Sequence, residues 1–279
     1  MTYTGELRKM PARLQDNGVV EYGLLLYDTA SESQQLIPLN DLIGQRFTFN
    51  FEGNIYCQRC GRKTNKSFAQ GFCYPCFRDA PENSECIIHP EKCRAHLGEG
   101  RDPEWEEKHH NQPHYVYLAA TDKVKVGVTR DHQVPTRWID QGASAAIKLA
   151  KTPNRYLAGM IEVALKETFD DKTNWRSMLR NDIDESIDLL DTKRELEPLL
   201  PADIAEYITD EDEVTHIEYP ALAFPTKIKT INLDKNPHFE AQLIGIKGQY
   251  LLLDDNRVIN IRKYAGYQVT VGLVEAEAE

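Results

Sequence analysis

Alternating apolar and polar positions predict β-strands near both ends of the chain. Residues 19–27 form a nearly continuous apolar run, and residues 46–56 alternate with three phenylalanines on one side. A two-residue period is the side-chain period of a strand that buries one face. Short strands separated by glycine and asparagine turns recur between residues 220 and 274. Short strands at close spacing favour a small barrel, so we expect the two ends to pair in one β-barrel-like domain.

The pattern changes in the middle of the chain, between residues 114 and 181. Residues 115–118 and 125–129 predict two short strands joined by a turn. From residue 155 to residue 169 apolar side chains recur every three or four positions, which predicts one amphipathic helix. We therefore expect a small α/β domain, inserted between the two sets of terminal strands.

Acidic side chains concentrate in one segment, residues 182–218. The whole chain has a net charge of −11, whereas this segment holds 14 acidic residues against Lys193 and Arg194, a local charge of −12. The rest of the chain carries +1, so the overall acidity does not exclude a nucleic-acid partner. A solvated helical face is the ordinary explanation for such a segment, and an arm that shields a basic surface is the alternative.

Hydropathy and cysteine content favour a cytoplasmic protein. The chain contains no apolar run approaching the roughly 18 residues of a membrane span, and its first residues lack the apolar core of a signal peptide. Six cysteines in a reducing compartment are more typical of metal ligands than of disulfides. We therefore expect thiolate-bound metal and no membrane partner.

Four of the cysteines have the spacing of a zinc site. Cys57 and Cys60 form one Cys-x2-Cys pair and Cys73 and Cys76 form another, with twelve residues between the pairs. Each pair offers two thiolates to one tetrahedral ion, and four thiolates leave no position for water, so the predicted zinc is structural. The alternative is four cysteines buried as small apolar side chains.

The loop around these cysteines combines basic and aromatic residues and contains no acidic one. The candidates for nucleic-acid contact are Arg59, Arg62, Lys63, Lys66 and Phe68. Basic side chains suit phosphate contact and an aromatic ring suits base stacking, so DNA or RNA is the predicted partner. The alternative is a solvated loop whose aromatic rings pack over the zinc site.

A second metal site is predicted further along the chain, from Cys86 and Cys93. Their spacing to nearby histidines suits a second zinc ion with two thiolate and two imidazole ligands. Five histidines are available, and one candidate set combines His96 and His110 with the two cysteines: His89, His96, His109, His110 and His114. The sequence does not select among the five, and two unliganded cysteines with surface histidines are the alternative.

Four short motifs follow one another between residues 115 and 162. They are Tyr115-Val116-Tyr117, Lys125-Val126-Gly127, Arg137 and Glu162: two strands, an arginine and a helix-borne glutamate. This order resembles the signature of the GIY-YIG endonuclease superfamily. The Cys-x2-Cys pairs together with RWIDQGA at residues 137–143 also resemble an uncharacterised family of bacterial proteins. That second resemblance spans the chain but implies no activity.

The GIY-YIG resemblance implies a phosphodiester endonuclease that requires a divalent metal. It implies that Glu162 holds one Mg²⁺ or Mn²⁺ ion, while Tyr117 and Arg137 position the attacking water and the phosphate. Lys125 stands where the superfamily has its second tyrosine, and Tyr115 stands where it has a glycine. The candidate catalytic residues are therefore Tyr117, Lys125, Arg137 and Glu162. The ordinary alternatives are a core tyrosine and a solvated helix pair between Glu162 and the lysine four positions later.

The chain is thus predicted to be an α+β protein of five segments. These are N-terminal β strands (1–56), a zinc-binding module (57–113), a GIY-YIG-like α/β domain (114–181), an acidic helical segment (182–219) and C-terminal β strands (220–279). The predicted function is a zinc-stabilised nucleic-acid-binding protein with metal-dependent endonuclease activity. The alternative is a non-catalytic zinc-containing module, with a degenerate nuclease fold, that binds nucleic acid or protein. The choice between DNA and RNA, a protein partner and the oligomeric state stay open.

Overall fold

The structure, a computed structural model of the chain, describes residues 1–165 and 174–274. The strands are β1 (Thr2–Leu7), β2 (Ala12–Leu14), β3 (Val20–Asp28), β4 (Ser33–Pro38), β5 (Arg46–Tyr56), β6 (Lys63–Thr64), β7 (His114–Ala120), β8 (Val124–Arg130), β9 (Ala145–Thr152), β10 (Thr215–His216), β11 (Lys229–Thr230), β12 (His238–Lys247), β13 (Tyr250–Leu253), β14 (Arg257–Asn260) and β15 (Tyr267–Leu273). The helices are α1 (Tyr74–Asp79), α2 (Pro103–His109), α3 (Thr136–Asp140), α4 (Arg155–Leu165), α5 (Trp175–Arg180), α6 (Leu189–Leu196) and α7 (Ala202–Ala205). None of these helices is long and apolar enough to cross a membrane.

One compact unit combines both ends of the chain, Met1–Arg78 with Glu218–Glu279. Its eleven-stranded sheet has the order β11-β14-β13-β12-β5-β15-β1-β3-β2, with β4 added to β3 and β6 added to β5. β5 joins the two ends, because it pairs antiparallel with β12 on one side and with β15 on the other. Phe49 of β5 lies opposite Phe239, and their rings stack with centroids 5.2 Å apart. The N-terminal and C-terminal strands thus form one sheet.

This sheet is not the closed barrel that the strand spacing predicts. Among the described residues the strand order ends at β11 and β2, and these two strands do not pair with each other. They are also short, with two and three residues. Closing a barrel requires a matching stagger between the first and last strands, and no local sequence pattern contains that long-range relationship. The α+β class is therefore confirmed, whereas the prediction of a barrel is wrong.

The other compact unit is Asp79–Ile217. Its sheet has four strands in the order β10-β9-β7-β8, and every residue of the central strand β7 is buried. Val116 and Leu118 on one face of β7 pack with Ile161 of α4 in the main core of this unit. Because neighbouring side chains of a strand alternate, Tyr117 faces the other side.

The sequence pattern finds β7, β8 and α4 around this core but misses the strand β9. The predicted hairpin is present as β7 and β8, and the predicted helix begins at Arg155 as α4. The third strand, β9, has no counterpart in the prediction because three of its eight residues are alanine, which is depleted in strands. Residues 166–169 of the predicted helix, including Lys166 as a partner for Glu162, lie outside the described residues.

The acidic segment is built into the second unit over most of its length. Leu189 and Leu196 of α6 belong to the main core. Lys193 of α6 is buried, and its ammonium donates to the carbonyl oxygens of Thr209 and Glu211, at 2.5 and 3.2 Å, and to the carboxylate of Asp212 at 2.8 Å. The segment is therefore a folded layer, with its acidic side chains on the solvent side, rather than a detached arm.

Candidate functional site

The four cysteines of the Cys-x2-Cys pairs meet at one point in the first unit. The sulfur atoms of Cys57, Cys60, Cys73 and Cys76 all lie within 4.8 Å of one another, and those of Cys60 and Cys73 are 3.8 Å apart. Four sulfurs bound about 2.3 Å from one tetrahedral ion are separated by about 3.8 Å. The cluster predicted from spacing is confirmed, and its geometry could hold a zinc ion.

The backbone around Cys57 favours the ionised thiol that a metal needs. Burial disfavours the Cys57 thiolate, but backbone amides of Cys73, Cys60 and Arg59 outweigh burial and lower its pKa to about 7. A lowered thiol pKa reduces the cost of releasing the proton when a metal binds. Because four thiolates fill a tetrahedral shell, an ion here would be structural.

The basic side chains of the zinc loop are exposed, whereas its aromatic residue is packed. Arg59, Arg62, Lys63 and Lys66 are all exposed. Phe68 is half-buried, stacks on Phe77 with centroids 5.7 Å apart and lies under the Lys66 ammonium at 5.1 Å. Tyr74, 56% exposed, is the more accessible ring of this cluster. The loop therefore presents cations to solvent, with Phe68 serving mainly to pack the zinc module.

A second group of metal-ligand side chains lies in the interior of the second unit. Cys86, Cys93, Glu106 and His110 are all buried, and their ligand atoms lie within 4.8 Å of one another. His96, a member of the candidate ligand set in the sequence, is not among them, because it is exposed and stacks on Tyr156 with ring centroids 4.7 Å apart. The structure thus brings a carboxylate, rather than a second imidazole, to the two cysteines and His110.

Tyr117 lies at the centre of the third group, on the face of β7 opposite the main core. Its cross-strand partner on β8 is Gly127, and a Cβ atom at Gly127 would lie 2.5 Å from the Tyr117 hydroxyl oxygen. The Tyr117 hydroxyl donates to the Gln141 amide oxygen at 2.6 Å. Its ring also packs against Trp138 of α3, with centroids 5.9 Å apart. Gly127 of the second motif therefore leaves space for the Tyr117 ring, while Trp138 of α3 and Gln141, which follows α3, hold it in place.

Arg137 on α3 and Glu162 on α4 both act electrostatically on the Tyr117 hydroxyl. Burial raises the pKa of Tyr117, the Arg137 guanidinium opposes that shift by charge and hydrogen bonding, and the Glu162 carboxylate adds to it. Tyr117 is 1% exposed, while Arg137 and Glu162 are half-buried. The structure thus brings together three residues that are separated by as many as 45 positions in the sequence.

Two further residues of this group are absent from the sequence prediction. Gln141 follows Arg137 by four positions, the spacing that places two side chains on one helical face. Arg155 lies in the first turn of α4, and the charges of Glu162 and Arg137 both act on it. The helical spacing could have indicated Gln141, whereas no motif distinguishes Arg155 from the other arginines.

The remaining two motif residues occupy different positions. Lys125 is half-buried on β8, two positions from Gly127 and therefore on the same face as Tyr117. Tyr115 is occupied elsewhere, because its hydroxyl donates to Glu211 at 2.9 Å and its ring lies 4.7 Å from the Lys148 ammonium. Lys125 can therefore add charge beside Tyr117, while Tyr115 serves the contact between β7 and the acidic segment.

Chemically, this third group combines a cation, an anion and a neutral hydroxyl. A guanidinium offers a planar pair of donors to phosphate or carboxylate. A carboxylate is a ligand for hard divalent cations such as Mg²⁺. Because the pKa of Tyr117 is raised, chiefly by burial, its hydroxyl keeps its proton and acts as a hydrogen-bonding group. These are the components of an anion-binding centre with one carboxylate in reach.

A family model described as "Protein of unknown function (DUF2797)" matches residues 44–269. The match covers most of the chain, which therefore belongs to this family. No curated protein and no solved structure gives a significant match.

Proposed function

We propose that this DUF2797 protein cleaves phosphodiester bonds in nucleic acid, using a divalent cation at Glu162 with Arg137 and Tyr117 beside it. The observation that carries the proposal is the convergence of these three side chains from β7, α3 and α4. Each residue type alone is common in a folded core or on a surface. Their combined action on one hydroxyl, in the order of the GIY-YIG motifs, supports a shared chemical task.

Each side chain has a distinct role in this proposal. Glu162 would hold Mg²⁺ or Mn²⁺, which polarises the phosphate and lowers the pKa of a bound water. Arg137 would bind the phosphate oxygens and stabilise the charge that develops on them. Tyr117, protonated and held by Gln141, would position the attacking water rather than remove its proton. Lys125, at the place of the second tyrosine of the motif, would contact phosphate by charge alone.

The exposed cations of the zinc loop favour nucleic acid as the substrate class. Arg59, Arg62, Lys63 and Lys66 are all exposed, and no acidic residue lies between Cys57 and Cys76. Lys and Arg side chains bind the phosphate backbone with an affinity that falls as salt rises. In this proposal the zinc is structural and presents the loop, while cleavage belongs to the second unit.

The test is a cleavage assay on structured and single-stranded DNA and RNA, with Mg²⁺ or Mn²⁺. We expect Glu162→Gln and Arg137→Gln each to lower the rate by at least about 100-fold, the usual cost of removing a metal ligand or a charge-stabilising donor. Glu213→Gln and Arg194→Gln, which change exposed residues of the same unit, should keep the wild-type rate. Cleavage that persists in Glu162→Gln, or its absence on every substrate, would reject the proposal.

A non-catalytic nucleic-acid-binding protein is the second candidate. The observations that favour it are Lys125 at the position of the second motif tyrosine and the 1% exposure of Tyr117. Binding that weakens with salt, depends on Arg62 and Lys63, and occurs without cleavage would support this candidate.

A further inference from the structure

Four side chains that commonly bind metal are buried together in the second unit. Cys86 and Cys93 come from two short turns, Glu106 comes from α2, and His110 follows that helix directly. Their exposed fractions are 7, 2, 2 and 2%, in that order. The two members from α2 are four positions apart, which places them on one face of the helix. Segments separated by up to 24 residues thus direct polar groups at a single interior point.

The four buried groups need hydrogen-bonding or charge partners, and the protein supplies these for only some of them. A buried carboxylate and imidazole are costly unless they are paired and hydrogen-bonded. One Glu106 oxygen accepts from the Ser84 hydroxyl at 3.1 Å, and the other lies against His110 Nδ1. A Glu106–His110 pair would explain those two residues. It would not explain why the Cys86 sulfur also lies 3.7 Å from the same imidazole nitrogen, with Cys93 beside it.

One divalent ion explains all four positions together. Two thiolates, one imidazole and one carboxylate form a tetrahedral set of the types that zinc accepts. The ligand set would carry a charge of about −3, which a Zn²⁺ ion reduces to about −1. Arg155 offsets part of this charge, because its guanidinium lies beside the cluster and donates to the carbonyl oxygens of Cys86 and Ile87, both at 2.9 Å.

The cluster is closed on the side of Gly100. A Cβ atom at Gly100 would lie 2.4 Å from Cγ of Glu106, so the backbone of this glycine lies directly over the carboxylate arm. Ser84 holds the second carboxylate oxygen, and the Trp105 ring meets His110 edge-on with centroids 5.1 Å apart. Residues that contact the ligands rather than the metal itself, as these do, fix metal ligands in place. Four protein ligands in a closed pocket characterise a structural ion rather than a catalytic one.

We infer that Cys86, Cys93, Glu106 and His110 bind a second zinc ion. We also infer that this ion holds the segment that carries them, residues 86–110, against α4. The contact between the segment and α4 is close. A Cβ atom at Gly159 of α4 would lie 2.2 Å from the Glu91 amide nitrogen, and the Arg155 amide donates to the His110 carbonyl oxygen at 2.9 Å. Glu162 lies one turn beyond Gly159. The ion therefore fixes the helix that carries Glu162, whether or not the protein has hydrolytic activity.

Metal content of the purified full-length chain tests the ligand set. We expect two zinc ions per wild-type chain, one in Cys93→Ser and in Glu106→Ala, and none in the double variant Cys57→Ser/Cys93→Ser. His96→Ala is the matched control, because it changes a candidate histidine that lies outside the cluster, and it should keep two ions. One ion per wild-type chain would overturn the inference. Loss of an ion in His96→Ala with retention in Glu106→Ala would overturn it as well.

X-ray absorption at the zinc edge provides a measurement that needs no variant to fold. Six thiolates shared by two ions give an average of three sulfurs and one nitrogen or oxygen per zinc. Zinc bound only at Cys57, Cys60, Cys73 and Cys76 would show four sulfurs instead, and that result would overturn the inference. Sulfur and nitrogen shells differ by about 0.2–0.3 Å in radius, so the two averages are distinguishable.

Hydrogen exchange tests the second half of the inference, the hold on α4. Removal of the second ion by Cys93→Ser should speed exchange of the α4 amides at residues 155–165. Cys57→Ser, which removes a ligand of the first ion, should leave α4 exchange at the wild-type rate. Equal α4 protection in the wild type and Cys93→Ser would show that the ion does not hold this helix.

Discussion

Gly127 lies directly beneath the Tyr117 ring in the β7–β8 hairpin. A Cβ atom at position 127 would lie 2.5 Å from the Tyr117 hydroxyl oxygen and 2.6 Å from Cζ. We therefore predict that Gly127→Ala displaces the ring, breaks its hydrogen bond to Gln141 and lowers the free energy of unfolding by about 1–3 kcal/mol. A double-mutant cycle in urea denaturation checks this. In a Tyr117→Ala background the alanine should cost almost nothing, and additive losses would contradict the contact.

Whether Gly159→Ala raises or lowers the free energy of unfolding shows how closely α4 packs against Pro90 and Glu91. Replacing a helical glycine by alanine ordinarily stabilises a protein by about 1 kcal/mol. Here the new Cβ would lie 2.2 Å from the Glu91 amide nitrogen and 2.4 Å from the Pro90 carbonyl carbon, which are backbone atoms that cannot rotate away. We expect a loss of about 1–3 kcal/mol in the free energy of unfolding. Met160→Ala, at the exposed neighbouring position, should change the free energy of unfolding far less. A gain in stability in Gly159→Ala would mean that the backbone of Pro90 and Glu91 does not pack against α4 at this position.

Lys193 and Arg194 are adjacent on α6 but should respond very differently to removal of their charge. The side chain of Lys193 is 1% exposed, whereas that of Arg194 is 61% exposed. Lys193→Met leaves the carbonyl oxygens of Thr209 and Glu211 without their donor, so we predict a loss of about 3 kcal/mol in unfolding free energy. Arg194→Met should lie within about 0.5 kcal/mol of wild type. Chemical denaturation of the two variants compares them, and similar losses would contradict a specific role for Lys193.

The buried imidazole of His114 should make the stability of the protein depend on pH. Burial lowers its pKa to about 3, and Nδ1 donates to the Gln112 carbonyl oxygen at 2.7 Å. The unfolded chain takes up a proton near pH 6.5, whereas the folded chain does not. The contribution of His114 to stability is therefore complete above about pH 6.5 and falls as the pH decreases, by up to about 1.4 kcal/mol per pH unit.

Unfolding free energies between pH 5 and 7 test this assignment. His114→Gln should flatten the pH dependence by about one proton, because the titrating group is gone. His216→Gln, at an exposed histidine of the same unit, should keep the wild-type slope. An unchanged slope in His114→Gln would show that other groups control stability in this range.

Sequence analysis predicts the features that depend on short stretches of the chain and misses those that depend on tertiary packing. The Cys57–Cys76 cluster is local, since its two pairs are joined by a short loop, and spacing alone identifies it. Motif order singles out Tyr117, Arg137 and Glu162, and their role as a catalytic site stays a prediction. Glu106 does not follow from any local pattern, because the chain has 44 acidic residues and only the packing of α2 directs this one at Cys86 and Cys93. His96 is a candidate ligand in the sequence, but it lies in a short turn and its ring stacks on Tyr156.

The path of the chain through the first unit has a consequence for its synthesis. β5 ends at Tyr56 and pairs at its end with the two-residue β6, yet its two long sheet neighbours, β12 and β15, begin at His238 and Tyr267. At a translation rate of about 5–20 residues per second, β5 leaves the ribosome on the order of ten to forty seconds before it can pair with β12 and β15. Through that interval its phenylalanines stay uncovered, as they would on an edge strand open to aggregation. The cysteine cluster follows β5 directly and needs no later residue, so zinc binding can order the nascent chain first.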